Sequence, residues 1–538
     1  MATDLHTAVI RNPVLPGFHP DPAILRVGDD YYIATSTFEW FPGVRLHHSR
    51  DLVNWRALPG ALTEQRLLDL RGTPDSGGVW APDLSYADGR FHIVYTDVNS
   101  HGGGYWDAQN YLTTAASIDG PWSDPVTLHA RGFDPSLFHD ADGSSWMLSM
   151  TADWRPGRDN FAGIQAQRYD RSAGRLVGDA FMIFGGTAAG VTEAPHLYRK
   201  DGWYYLVTAE GGTSYEHQVT VARSRSLLGP YEADPAGPML TSYGRPELPL
   251  QKAGHGSLVQ TPGGRWYLAH LVGRPYTPLG RCVLGRETAI QAVEWSADGW
   301  PRVPGGVPAL EAPAPDLAPH PFPAGPETDD FDGPVLGPRW STLRRPASPE
   351  WVSLTERPSH LRIHGGQSPR GTQRPSLVAC RATARACTLE ARVAFAPRTY
   401  RQLAGVTAYY NTRNWHFAYL TADDAGTRVL DVLSSDRGTL IPHPGARVPV
   451  PGTAPVTLAA DLDGPALRFR YDAGDGWHPL PVELDATILS DENARIEEGD
   501  GVPEVWGFTG AFLGLWVQDI GADGAYADFD WARYAVTE

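Results

Sequence analysis

Three acidic side chains stand at similar places in this sequence: Asp21 in FHPDPAIL, Asp134 in GFDPSLFHD and Glu193 in VTEAPHLY. Taken singly, an Asp-Pro pair is a turn or the start of a strand. Gathered at one point, carboxyls do other work. One gives a proton to a leaving oxygen while another activates water or attacks carbon, which is the chemistry of glycoside hydrolysis. A third nearby keeps the acid protonated by like-charge repulsion. Phosphoryl transfer would call for a glycine-rich loop followed by Lys-Ser or Lys-Thr, and GTPDSGGVW and SHGGGYW lack it. A hydrolytic serine would call for a GxSxG elbow, which GHGSL does not match.

Whether the acids meet depends on the elements that carry them, and those elements repeat. DPAILRVGDDYYIATS, APDLSYADGRFHIVYT, DPSLFHDADGSSWMLS, APHLYRKDGWYYLVTA and HGSLVQTPGGRWYLAH begin at Asp21, Ala81, Asp134, Ala194 and His255. Each reads as a short strand, a Gly or Asp turn and an aromatic-rich second strand. The starts lie about 60 residues apart, which leaves room for about four strands per unit, with further strands in HHSRDLVNWRAL, YLTTAASIDGPWS and VTVARSRSLLGPYE. Five such units predict an all-β, five-bladed β-propeller over residues 1–302, rather than a capped solenoid. The first strand of each blade lines the central channel, so the five starts are one position seen around a ring. Trp80 and Glu193 precede the second and fourth starts. Three carboxylates, an imidazole and an indole are thus expected at one channel mouth, where gathered like charges cost stability unless they have a function.

The bulk numbers bound the partners. At 538 residues the chain exceeds one ordinary core. A net charge of −17 argues against nucleic acid or an anionic membrane and allows a neutral sugar. The opening MATDLHTAVIRNPVLPG has neither a basic nor an apolar leader region, and no run approaches 18 apolar residues. Cys282, Cys380 and Cys387 form an odd set without metal spacing, so a cytoplasmic setting is expected. Residues 303–326, rich in Pro and Ala, read as a linker or extended strap. Alternating segments such as TLEARVAF and GAFLGLWVQD predict a β-sandwich over 327–538. That domain is expected either to bind carbohydrate or to trim the propeller's open face. Asp329, Asp330, Asp528 and Asp530 are read as solvated turn carboxylates in preference to calcium ligands.

With these segments in place, the whole chain resembles the β-xylosidases of glycoside hydrolase family 43 that carry a concanavalin-like C-terminal sandwich. The matching stretches are NPVLPGFHPDPAILRVGDDYYIATSTFEWFPGV, DSGGVWAPDLSYADGRF, GFDPSLFHD, VTEAPHLY, TAEGGTSYEH, AGHGSLVQ, LGRETAIQ and FTGAFLGLWVQD. The resemblance implies that Asp21 is the general base, Glu193 the general acid and Asp134 the residue that tunes and orients Glu193. It implies inversion, with base and acid roughly 6.5–9.5 Å apart. Arg286 is expected to grip hydroxyls of the terminal sugar, and Phe38 and Trp80 to wall the pocket. His255 is expected to approach the sugar or a water-coordinated calcium ion, while the chemistry itself needs no cofactor. Phe512 is expected to reach the pocket rim from the sandwich. Exo action on xylooligosaccharides such as xylobiose follows, by a dimer or tetramer. The alternatives are an α-L-arabinofuranosidase, alone or combined with xylosidase activity, and a carbohydrate-binding propeller without activity. One departure stands out: the loop over Tyr276–Val283 is short, and Cys282 is followed by Val283 where relatives carry Cys-Pro.

Overall fold

The computed structural model describes residues 9–102, 105–450, 452–497 and 503–537. It is almost entirely strand. Five separate sheets of four or five strands follow one another, and their innermost strands are Ala23–Val27, Asp83–Ala87, Ser136–His139, Glu193–Lys200 and Gln251–Gln260. Each of these five touches the next, and the last touches the first, so the ring closes as a five-bladed propeller. The hairpins form where turn chemistry allows. Asp88–Gly89 and Asp201–Gly202 are two-residue loops with φ of 51° and 73°, and 50° and 74°, joining Ala87 to Arg90 and Lys200 to Trp203. Positive φ at both central positions matches the right-handed twist of the strands it joins.

Among the described residues no strand is shared between the first and last blades. Instead Val9–Arg11 pairs with Glu311–Pro313 beside the seam. Ile10, Leu15 and Ala312 pack there with Ile24 and Ile33 of the first blade and Tyr267 and Ile290 of the last. The Asn12 side chain stitches the seam further, accepting from Ile290 N (2.8 Å) and donating to Ile290 O (2.8 Å) and Ala309 O (2.9 Å). The Pro/Ala-rich stretch is therefore a strap that lies along the propeller.

Two larger antiparallel sheets form the sandwich, with an apolar core between them that includes Leu389, Val406, Leu458, Leu515 and Phe529. The outer face of one sheet packs on the propeller through Trp40, Tyr409, Trp415, Phe417, Phe512 and Trp516. Trp40–Phe41, from the first blade, even joins this sheet by pairing with Ser341–Leu343. The sandwich thus covers the propeller. Among the described residues no helix is long and apolar enough to cross a membrane.

Two of the four sandwich carboxylates singled out in the sequence are engaged. Asp329 accepts from Phe331 N and Trp340 Nε1, and Asp528, 5% exposed, is held by Arg357 and Arg362. Asp528 is therefore a buried ion-pair residue instead of the solvated turn carboxylate expected from its surroundings in sequence.

Candidate active site

At the channel mouth the chain bends sharply at four of the five innermost strands. Asp21, Asp134, Ala194 and His255 have φ of 56°, 52°, 51° and 48°. Four of the five repeat starts therefore occupy the left-handed region, which costs a non-glycine residue on the order of 1–3 kcal/mol. Beside Ala194 the pairing also slips register between Glu193 and His196. Such a bulge re-aims the neighbouring side chain, and Glu193, the residue just before the bend, lines the pocket in place of Ala194. His255 lies within the second of two similar slips, and Gly254, between them, leaves room for the His217 ring, which a Cβ there would meet at 2.2 Å.

An inner pocket of about 50 Å³ results. Asp21, Asp134 and Glu193 line it together with His255, Arg286, Thr213, Phe38 and Trp80, and with Phe133 and Phe508. All three carboxyls are at least nine-tenths buried. The Asp21 carboxylate accepts from Ser36 Oγ (2.5 Å) and Arg286 Nη1 (3.1 Å), with His255 Nδ1 at 3.6 Å. Arg286 also donates to Thr213 Oγ1 (2.8 Å) and, through Nε and Nη2, to the backbone carbonyl of Phe508 (3.3 and 3.0 Å). Its guanidinium lies 5.3 Å from the Phe38 ring centroid and 5.2 Å from that of Phe508. Trp80 is fixed by a bond from Nε1 to Ser76 O (2.9 Å) and by edge contacts with Phe133 and Phe508.

These contacts push the acids in opposite directions. Burial works to raise Asp21, but Arg286, then His255, the Ser36 hydroxyl and His217 hold it below the ordinary carboxylate value. Among the described residues no side chain donates a hydrogen bond to Glu193. Burial first and the Asp21 charge second push it up to about 8, against the pull of Arg286. Asp134 is raised too, by burial and then by Glu193 and Asp21, although it accepts from Ala194 N. The site therefore holds one settled carboxylate, Asp21, and a Glu193–Asp134 pair that keeps a proton at neutral pH. Burial lowers His255 to about 4, so it faces Asp21 as a neutral ring.

The inner pocket opens into a cleft of about 820 Å³, and Glu193, Trp80, Phe133, Thr213 and Phe508 line both. Glu193 thus stands at the junction. The outer walls come from Trp106 and Phe161 of the propeller and from Trp506, Asp491 and Glu492 of the sandwich. Lys252 Nζ meets Glu492 at 2.5 Å and Asp491 at 3.5 Å, joining the two domains in the cleft wall. The short loop after Pro275 reaches the same place: Cys282 N donates to Glu492 Oε2 (3.0 Å), Arg281 to Thr487 (2.8 Å), and Gly280 O accepts from Tyr215.

Phe512 does not line the pocket. It is fully buried, stacked on Trp40 at 3.7 Å and edge-on to Phe18 at 5.8 Å. Phe508, four residues earlier, is the aromatic that the sandwich delivers. Gly285 and Gly510 let the two backbones touch here, since a Cβ on either would come within about 3 Å of the other's backbone. Ala511 N donates to Val283 O beside them. Nothing in FTGAFLG alone says which of its two phenylalanines crosses the boundary. Thr213 and Phe133 also escaped the sequence reading, although TAEGGTSYEH and GFDPSLFHD are both among the stretches that carry the family resemblance.

Beside His255 the near carboxylate is Asp21, whose oxygen already receives Arg286, so a calcium ion there would have to take most of its six to eight oxygen ligands from water. Among the described residues no three His, Cys, Asp or Glu side chains converge to hold a metal ion.

Comparison with known proteins agrees with this architecture. Residues 10–301 match the family model Glycosyl hydrolases family 43, and residues 328–535 match that of the Beta xylosidase C-terminal Concanavalin A-like domain. The chain belongs to glycoside hydrolase family 43, and its enzymatic class is that of a glycoside hydrolase. It is 44% identical over 537 residues to a protein of Bacillus subtilis named Beta-xylosidase, covering 98% of this chain and 99% of that one. It is also 44% identical over 542 residues to the Xylan 1,3-beta-xylosidase of a Vibrio species, again covering 98% and 99%. The crystal structure of xylan beta-1,4-xylosidase from Bacillus halodurans superposes with a TM-score of 0.94 at 48% identity, covering 98% of this chain and 99% of that one.

Proposed function

We propose that this glycoside hydrolase is an exo-acting, inverting β-D-xylosidase that releases xylose from the non-reducing end of 1,4-β-xylooligosaccharides such as xylobiose. The observation that carries the mechanism is the separation of two acids in one pocket: Asp21 is held ionised by Arg286 while Glu193 is held protonated at the mouth of the outer cleft. The terminal xylose occupies the inner pocket between Phe38, Trp80 and Phe508, with Arg286 and Thr213 beside its hydroxyls. Asp21 takes a proton from a water, whose oxygen forms the new bond to the anomeric carbon. Glu193 gives its proton to the glycosidic oxygen as the old bond breaks, and the shortened sugar leaves through the outer cleft. Asp134 keeps the shared proton on the pair and orients Glu193. Each turnover moves one proton onto Asp21 and one off Glu193, and exchange with solvent resets both.

Exo action is supported by the small inner pocket that the sandwich's Phe508 helps to close. The 1,4 linkage is supported by the Bacillus halodurans structure, at 48% identity, whereas the Vibrio protein, at 44%, is named for the 1,3 linkage. A reducing, cytoplasmic setting fits the three buried cysteines, none of which forms a disulfide. Assembly as a dimer or tetramer completes the proposal.

The deciding measurement is proton NMR of xylobiose hydrolysis, with the 1,3- and 1,4-linked disaccharides compared. Initial α-xylose from the 1,4-linked sugar is expected. Initial β-xylose overturns inversion, and preference for the 1,3-linked sugar overturns the linkage. Turnover of aryl arabinofuranosides without turnover of either disaccharide overturns the substrate.

A further inference from the structure

Two walls of the inner pocket belong to different domains, Trp80 to the propeller and Phe508 to the sandwich, and both are hydrogen-bonded to one residue behind them. Ser76, fully buried, accepts from Phe508 N through Oγ (3.1 Å) and donates from the same hydroxyl to Trp506 O (3.2 Å). Its carbonyl accepts from Trp80 Nε1 (2.9 Å). The residues around Ser76 leave it little room to move. Asp75, its neighbour in sequence, is gripped from the sandwich by Arg344 (2.8 Å) and Thr412 Oγ1 (2.5 Å). Gly77 and Gly78 follow between other backbones, where a Cβ would meet Val98 O at 2.8 Å and Phe38 O at 2.5 Å. Val79 then exchanges hydrogen bonds with Phe38 in both directions (2.8 and 3.1 Å). The stretch DSGGVW is therefore tied to Phe38, Trp80 and Phe508 alike.

Ser76 holds φ of 61°, in the left-handed region where a serine stays only when its surroundings over-determine it. A glycine would adopt this bend freely, as Gly78 does at φ of 83°, but would lack the hydroxyl. We propose that Ser76 is a positioning residue for the hydrolysis: it fixes Phe508 and Trp80 against each other across the terminal sugar, and its hold on Phe508 keeps Arg286 aimed at Asp21. The path to Asp21 is short. Phe508 N is held by Ser76, Phe508 O accepts from Arg286 Nε and Nη2 (3.3 and 3.0 Å), and Arg286 Nη1 donates to Asp21 (3.1 Å). Removing the hydroxyl takes away the partner of the buried Phe508 N and of Trp506 O, and the segment shifts to find others. The Phe508 ring and the Arg286 guanidinium shift with it, and a displacement of about 1 Å costs on the order of 10²-fold in rate. The charged and titratable groups facing Asp21 are Arg286, His255, His217, Glu193 and Asp134, and Glu39, Asp75 and Arg344 stand on the Ser76 side. Of these, among the described residues, Arg286 is the one bonded to Phe508. The inference rests on the roles proposed above for Asp21 and Arg286 and adds the residue that places them.

Steady-state kinetics across pH test this in the full-length protein with Ser76→Ala and Ser76→Gly, the second of which relieves the bend and so keeps the fold. The substrate is whichever of p-nitrophenyl β-xyloside and p-nitrophenyl α-arabinofuranoside the wild type turns over. Failure on the xyloside then strikes the proposed substrate and leaves this test standing. In both variants kcat/KM is expected to fall about ten- to hundredfold, and the acid limb of its pH profile to move up toward neutral pH. In an Arg286→Met background, Ser76→Gly should move that limb no further. An unmoved limb, even with a lowered unfolding temperature, makes Ser76 a joint between domains and overturns the positioning role. So does a limb that moves as far without Arg286 as with it. Wild-type kcat/KM in Ser76→Gly overturns it outright.

Discussion

Glu193 and Asp21 are both buried carboxyls in one small pocket, and what separates their roles is the company each keeps. Asp21 is held down by Arg286, His255, the Ser36 hydroxyl and His217, whereas Glu193 is pushed up by burial and a neighbouring negative charge with Arg286 alone opposing. The proton on Glu193 matters only when the leaving group is poor. Glu193→Gln should therefore lose on the order of 10²–10⁴ in kcat on xylobiose while keeping most of its rate on a 2,4-dinitrophenyl xyloside, whose phenolate needs no proton. Equal losses on both substrates would remove Glu193 from the role of acid.

The pH profile follows from the same two groups. Activity needs Asp21 ionised and Glu193 protonated, so kcat/KM should fall on the alkaline side with a midpoint near 8 and on the acid side below the ordinary Asp value of 3.8. Arg286 is the largest influence that holds Asp21 down against burial. In Arg286→Met the acid limb should move up toward neutral pH, as well as the rate falling. A rate loss with an unmoved limb would assign Arg286 to sugar binding alone.

At the scale of elements, the segment from Trp506 to Phe512 does two different jobs four residues apart. Phe508 presents its ring to the pocket and its carbonyl to Arg286, whereas Phe512 begins a fully buried strand and stacks on Trp40. Phe512→Ala should cost about 3–5 kcal/mol of stability, seen as a lower unfolding temperature. Phe508→Ala should instead raise KM and lower kcat with a much smaller change in that temperature. The reverse outcome would return Phe512 to the site. The innermost strands show a complementary division. Their hairpin turns follow from local Asp-Gly chemistry, while the bulge that aims Glu193 depends on pairing with Trp203–Glu210 and is invisible in VTEAPHLY.

At the scale of the whole molecule, propeller and sandwich share a buried polar seam. Arg344, fully buried, donates to Thr73 O and Asp75 (both 2.8 Å), and Asp75 also accepts from Thr412 Oγ1 (2.5 Å). Beside them burial pushes Glu39 up to about 8 from 4.5, with Arg344 opposing. A raised folded-state value means that the native protein binds a proton the unfolded chain has released. The associated stability is full below about pH 4.5 and is lost as pH rises through 8. Thermal unfolding followed from pH 7 to 8, above the range in which the histidines of the unfolded chain titrate, should show a falling midpoint, and Glu39→Gln should flatten part of that slope. An unchanged slope in the variant would place the ionisation elsewhere, among the other raised carboxyls Glu193, Asp134, Asp97, Asp491 and Glu287.

The sequence by itself determined the propeller, the sandwich and the three acids, because each blade repeats one hairpin whose turn residues and strand pattern act over a few positions. It also placed the five repeat starts on a ring, since equivalent positions in a closed repeat must share an axis. The tertiary structure alone decided that the strap closes the seam and that Trp40–Phe41 crosses into the sandwich sheet. It alone decided that Phe508 rather than Phe512 meets the substrate pocket, and that Glu193 and Asp21 differ in protonation. Those outcomes depend on contacts between residues hundreds of positions apart, such as Arg286 with Phe508 and Gly285 with Gly510, where backbone approach and burial set both geometry and charge.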